Sequence, residues 1–143
     1  MSLVNGAART DASCEVAGAA EWPTAGPWSI RLATGSGRPA LEVYEHGELI
    51  DVLVASSLGG ALLRGARRGT VADQPAGFAW GRLAADGAAP AVLFAGGRLR
   101  PEWRPARVME LDGGFWLAWA PGPLAGVLVR DADGRAERLR PAR

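Results

Sequence analysis

The feature that most constrains this chain is a cadence of short runs in which apolar and polar residues alternate, each closed by glycine, proline or Asp-Gly. It is clearest in the last third. There Phe115-Trp116-Leu117-Ala118-Trp119 is followed by Pro121-Gly122-Pro123, by Val127-Leu128-Val129, and by Asp131-Ala132-Asp133-Gly134-Arg135. Such runs, separated by turn chemistry, specify antiparallel β-strands joined by tight turns. The same cadence recurs upstream. Trp28, Ile30 and Leu32 alternate with Ser29, Arg31 and Ala33, which places three large apolar side chains on one face of a strand. Gly35-Ser36-Gly37 turns the chain, Leu41 and Val43 resume the alternation, and His46-Gly47 leads into the apolar segment Leu49 to Val54.

Further strands are expected at Phe78 to Leu83, Ala91 to Phe94 and Arg107 to Leu111, closed by Asp86-Gly87, Gly96-Gly97 and Asp112-Gly113-Gly114. The stretch from Ser56 to Gly69 departs from this pattern. Leu58, Ala61, Leu62 and Gly65 have helical spacing, Ser57 is available as a cap and Gly65 as a stop, so one or two helical turns, or a loop, are expected there. The expected fold is therefore all-β: an antiparallel sandwich or partly open barrel of about eight strands with at most one short helix. With 143 residues the chain can bury one hydrophobic core without disulfides or metals. Residues 1–26 lack sustained periodicity and read as a loosely held arm before a single β-domain spanning 27–143.

The chemistry-bearing residues are sparse. Cys14 is the only cysteine, so neither an intrachain disulfide nor a cysteine-based zinc site is available. His46 is the only histidine, which removes every multi-histidine metal site and leaves one imidazole base. A hydrolase-like reading joins His46 to Ser56, Ser57 or Cys14 with Asp51 as orienting acid, but no Gly-x-Ser-x-Gly elbow exposes a serine. A solvated turn histidine is the expectation. Glu42, Glu45, Glu48 and Asp51 cluster in the same hairpin, and their spacing along it does not make a metal loop or a glycosidase pair. They are expected to form a solvated acidic face. Gly35-Ser36-Gly37-Arg38-Pro39-Ala40 fits a relaxed dinucleotide fingerprint, yet it leads into a strand pattern instead of a helix. No cofactor and no metal is implied.

Charge is segregated along the chain. Residues 1–60 hold three arginines against seven acids, and residues 61–143 hold thirteen against eight, with a net charge of +1. Arg98, Arg100, Arg104 and Arg107 surround Trp103, so that arginine and an aromatic together offer phosphate contacts and a stacking surface. Weighed against this, the basic half neutralises the acidic hairpin inside the fold, and nucleic acid is the less favoured partner. No apolar stretch approaches the roughly 20 residues of a membrane-spanning helix. The chain as given is expected in the cytoplasm, or outside it or at a membrane if an upstream segment has been removed.

Tryptophan supplies the remaining candidate. Trp116 and Trp119 are three apart and so point to opposite faces of one strand. With Phe115, Leu117 and Trp119 on the core side, Trp116 is expected on the other face beside Ala118 and Ala120. It is then a docking point for a protein partner or a second copy, unless a further layer covers that face.

Pro27-Trp28 with its following strands, and the stretch from Gly113 through Trp119 and Pro121 to Val127-Leu128-Val129-Arg130-Asp131-Ala132-Asp133-Gly134-Arg135, resemble the uncharacterised small β-domains of actinobacterial proteins. Those domains are often attached to a membrane anchor or regulatory partner and bring no assigned catalytic residues. The resemblance covers the last third and one strand. The functional expectation is a non-enzymatic interaction or sensing module for a protein partner or small ligand, with Trp116, Trp103, Arg98, Arg100, Arg104 and Arg107 as binding candidates. The alternatives are the His46 hydrolase and a weak nucleic-acid binder.

Overall fold

A computed structural model of the chain describes residues 26–35, 37–55, 60–97 and 102–141. Residues 1–25 of the expected arm, among them Cys14, and also Ser56, Ser57, Arg98 and Arg100 lie outside the described residues. The described residues form eleven strands and no helix: β1 Trp28–Gly35, β2 Arg38–Glu45, β3 Glu48–Val54, β4 Leu63–Val71, β5 Gln74–Arg82, β6 Ala91–Gly96, β7 Glu102–Pro105, β8 Arg107–Leu111, β9 Phe115–Pro121, β10 Gly126–Arg130 and β11 Ala136–Leu139. All pairs are antiparallel. The first sheet has the order β1-β2-β3, the second β4-β5-β9-β8 and the third β11-β10-β6-β7.

The second sheet lies between the other two. Alternation along β5 and β9 sends Phe78, Trp80, Phe115 and Leu117 toward the first sheet, where they meet Trp28, Ile30, Leu41, Val43 and Leu53. Trp28 stacks on Phe78 with ring centroids 5.2 Å apart. The opposite parity, Ala79, Trp116, Ala118 and Ala120, packs on Val92, Phe94, Val127 and Val129 of the third sheet. A strand covered on both faces reads as a nearly continuous apolar run, and Phe115 to Ala120 is one.

This arrangement corrects the expectation for Trp116. The tryptophans do face opposite ways, but Trp116 is 0% exposed because the third sheet covers its face. Its indole Nε1 donates to the Leu62 carbonyl at 3.0 Å. Trp116 cannot act as a docking point, and Trp119 is the less buried of the two.

The helical reading of Leu62 and Gly65 is also corrected. Leu63 to Val71 is strand β4, hairpinned to β5 through Ala72-Asp73, whose φ angles of 51° and 64° mark a type I′ turn built without glycine. Glycine serves the interior of the sheet here. Gly65 pairs directly with Trp80, and a Cβ at Gly65 would lie 2.4 Å from the Trp80 ring. His46-Gly47, with φ of 51° and 80°, makes the corresponding turn between β2 and β3.

The second and third sheets approach each other at two edges without closing into a barrel. At one edge the chain leaves β7, bends at Ala106 and enters β8; the Ala106 N–H donates to the Val92 carbonyl at 3.0 Å. At the other, the Glu137 carboxylate of β11 accepts the N–H groups of Leu62 and Leu63 at 2.9 and 3.0 Å. A side chain there substitutes for the missing backbone ladder. No helix among the described residues is long and apolar enough to cross a membrane.

Candidate functional site

The acidic hairpin is divided by its own pleat. Glu45 and Asp51 point toward the second sheet, whereas Glu42 lies on the outer face, where it accepts the Tyr44 hydroxyl at 2.7 Å. Each inward carboxylate is held by one arginine of β4 and one indole. Arg67 forks onto Glu45 at 3.1 and 2.7 Å, and Trp28 Nε1 donates to the same group at 3.0 Å. Arg64 forks onto Asp51 at 3.0 and 2.9 Å, and Trp80 Nε1 donates at 2.8 Å. Two-pronged arginine–carboxylate bonds are the geometrically specific kind. They fasten the first sheet to the second, so part of the basic half does neutralise the hairpin inside the fold.

These pairs set an acid limit on stability. The Arg67 fork, with Trp28, holds the Glu45 carboxyl below its ordinary value against the opposing effect of burial. At Asp51 burial is the largest single influence and pushes upward, but the hydrogen bonds from Arg64, Trp80 and the Val52 backbone, with the Arg64 charge, together make the net direction down. A carboxylate with a depressed folded pKa contributes stability above its unfolded pKa and loses that contribution as pH falls through the folded value. Thermal melts should therefore show stability falling below the ordinary carboxylate pKa of about 4. The pair of substitutions Glu45→Gln and Asp51→Asn should lower Tm at neutral pH and flatten the acid limb. An unchanged acid limb in that variant would refute the assignment.

His46 stands exposed in its turn, and its backbone N–H donates to the Pro27 carbonyl at 2.7 Å. Asp51, the proposed orienting acid, is committed to Arg64 and Trp80. Ser56, Ser57 and Cys14, the nucleophiles of the hydrolase reading, lie outside the described residues. The described residues contain no group of three or more His, Cys, Asp or Glu side chains placed to hold a metal.

The Trp103 cluster is also rearranged by folding. Adjacent strand residues point to opposite faces, so Arg104 turns away from Trp103 and donates to the Pro121 and Pro123 carbonyls at 2.9 and 3.1 Å. Arg107 begins β8 in the second sheet, opposite Trp119. Trp103 instead meets Arg138 of β11, whose guanidinium carbon lies 5.8 Å from the ring centroid. Arg138 was not among the sequence candidates. It is distant in sequence, and only the strand order places it on the same face. The large apolar side chains exposed among the described residues are Leu49, Val52, Trp103 and Val108.

A cleft of about 720 Å³ opens at one end of the fold. Four connections line it: the segment after β3, the long β5–β6 loop, the Gly113-Gly114 turn and the β10–β11 turn. Their lining side chains are mostly alanine and glycine, with Asp86, Asp131, Asp133 and Arg135 at the polar positions. The loops are internally braced. Asp86 Oδ1 accepts the Ala88 N–H at 2.9 Å, and Asp131 Oδ1 accepts the N–H groups of Asp133 and Arg135 at 3.0 and 2.9 Å. Sequence reasoning took these Asp-Gly segments as turns and missed their convergence, because the three sheets must stack before the four loops meet. No family model, curated protein or solved structure matches the chain.

Proposed function

We propose that the protein is a non-catalytic binding module that takes a small polar ligand in the end cleft. The observation that carries this reading is the convergence of four connections from three sheets on one concavity. Its volume falls within the range of about 300–1,000 Å³ common to small-molecule sites. Loops held by a rigid β-scaffold are a frequent location for binding residues. The Asx-type bonds of Asp86 and Asp131 fix the loop backbones before a ligand arrives, which lowers the ordering cost of binding. Alanine and glycine walls leave main-chain N–H and C=O groups accessible, so recognition would rest on hydrogen bonds more than on apolar contact. The carboxylates at the rim favour a ligand rich in hydrogen-bond donors.

The test is a screen of small amines, sugars and amino acids by amide chemical-shift mapping on the full chain. Binders are expected to shift amides around Ala84 to Ala89, Gly113-Gly114 and Asp131 to Arg135. Ala132→Trp, which introduces an indole at the rim, should abolish those shifts while leaving the melting temperature nearly unchanged. The reading fails if no compound perturbs these amides, or if the shifts persist in Ala132→Trp.

A further inference from the structure

We infer that the outer face of the third sheet binds single-stranded nucleic acid, with Trp103 as a stacking platform and Arg130, Arg138 and Arg140 as phosphate contacts. This site is a sheet face and not the end cleft, although its last row, Ala91, Arg130 and Ala136, adjoins Pro90, Asp131 and Arg135 of the cleft lining. The register defines the face. Trp103, Ala95 and Gly126 share one row across β7, β6 and β10; Pro105, Leu93, Leu128 and Arg138 share the next; Ala91, Arg130 and Ala136 share the third. Phe94, Val127 and Val129, of opposite parity, are in the core, so these rows lie on the sheet's other face, where Ala95 and Leu128 are themselves covered.

Trp103 is 37% exposed. A Cβ on Gly126, two strands away, would lie 3.8 Å from its Cη2 atom. The ring therefore extends across β6 and reaches β10 over small residues, lying along the sheet instead of projecting from it. A flat indole suits a planar ring better than insertion into a lipid surface, and this orientation decides between those occupants. Base–aromatic stacking is tolerant of sequence and is reinforced by arginine.

Charge complementarity supplies the second argument. Arg130, Arg138 and Arg140 are exposed, the first two on this face by register and Arg140 by continuing the alternation of β11. Among the described residues of these four strands, no carboxylate shares the face. Glu102 alternates with Trp103, and Glu137 points inward to the Leu62 and Leu63 N–H groups. Same-face rows are about 7 Å apart along a strand, comparable with one step of an extended nucleotide chain. An unopposed cationic face with a stacking ring fits an anionic polymer that carries planar bases.

The experiment is fluorescence anisotropy of short labelled oligothymidylate and oligouridylate with the full chain at about 50 and about 200 mM salt. Binding should weaken as salt rises. Trp103→Ala should weaken it by roughly 5- to 100-fold, Trp103→Phe should retain most of it, and the double variant Arg130→Gln, Arg138→Gln should reduce the salt slope by about 1.4. Melts of each variant verify the fold, and if Trp103→Ala does not fold, Trp103→Phe and the arginine variant decide. Absence of binding at low salt overturns the proposal. So does binding that ignores Trp103→Ala, which would be counterion release alone, and so does Trp103-dependent binding to phosphatidylglycerol vesicles without binding to oligonucleotides.

Discussion

Trp116→Ala is expected to destabilise the fold by about 3–5 kcal/mol and to leave the association state unchanged. The indole is fully buried between the second and third sheets, among Leu62, Ala79, Phe94 and Val127 of the same core cluster. Truncation removes a large apolar contact and leaves a cavity that rigid strands on both sides cannot close. It also removes the Nε1 hydrogen bond to the Leu62 carbonyl, although that oxygen keeps the Arg82 N–H at 3.0 Å. The cavity is thus the larger part of the loss. Trp119→Ala should cost less, since Trp119 is only partly buried at the rim of the other core. Urea denaturation of the two variants measures the difference. Equal costs, or a greater loss for Trp119→Ala, would contradict this packing. Against a total stability of about 5–15 kcal/mol for a domain this size, Trp116 is among the residues the fold can least spare.

The two tryptophans also show how far local pattern carries. A period of two correctly places Trp116 and Trp119 on opposite faces, and alternating or apolar runs closed by turns identify β1, β2, β3, β5, β6, β8, β9 and β10. What alternation cannot say is whether the second face meets solvent or another sheet, because that depends on strands distant in sequence. The all-β sandwich class was legible, the third layer was not. Strand β4 was missed because Gly65 and Gly69 look like interruptions when read along the chain. Across the chain they are clearances: Cβ atoms there would lie 2.4 Å from Trp80 and 3.0 Å from Trp28. The β4–β5 turn was hidden for the opposite reason, since Ala72 and Asp73 adopt positive φ without the glycine that usually announces it. The short β7 was hidden by its neighbouring prolines, which an edge strand tolerates. Charged residues followed the same rule. The four acids of one hairpin looked like a single solvated face, yet the pleat sends Glu45 and Asp51 to Arg67 and Arg64, and Arg138 reaches Trp103 only through the strand order of the third sheet.

Gly81→Ala should be the most damaging small substitution in the protein, costing about 4 kcal/mol or more or abolishing folding. Elsewhere in a strand, alanine is favoured over glycine by roughly 0.5–1 kcal/mol because glycine loses more backbone entropy. At Gly81 sterics reverse the sign. A Cβ there would stand 1.8 Å from the Leu62 carbonyl oxygen, 2.9 Å from the Leu62 carbonyl carbon and 2.7 Å from the Trp116 ring. The ring belongs to the residue paired directly with Gly81 across β5 and β9, so glycine is what lets the indole cross the strand. The carbonyl is the harder obstacle. It accepts from both Arg82 N and Trp116 Nε1, while the Leu62 N–H is held by Glu137. To admit the methyl, Leu62 must move and disturb the edge where the second and third sheets meet. Shortening Trp116 would not rescue the variant, because the nearest clash is with backbone. Gly126→Ala is the control: its Cβ would make only ordinary contacts of 3.8 Å and beyond, and it should be neutral or slightly stabilising. Urea melts of both variants check the prediction. If Gly81→Ala proves as stable as Gly126→Ala, Leu62 is free to shift, and the Glu137 bonds do not fix that edge of the sandwich.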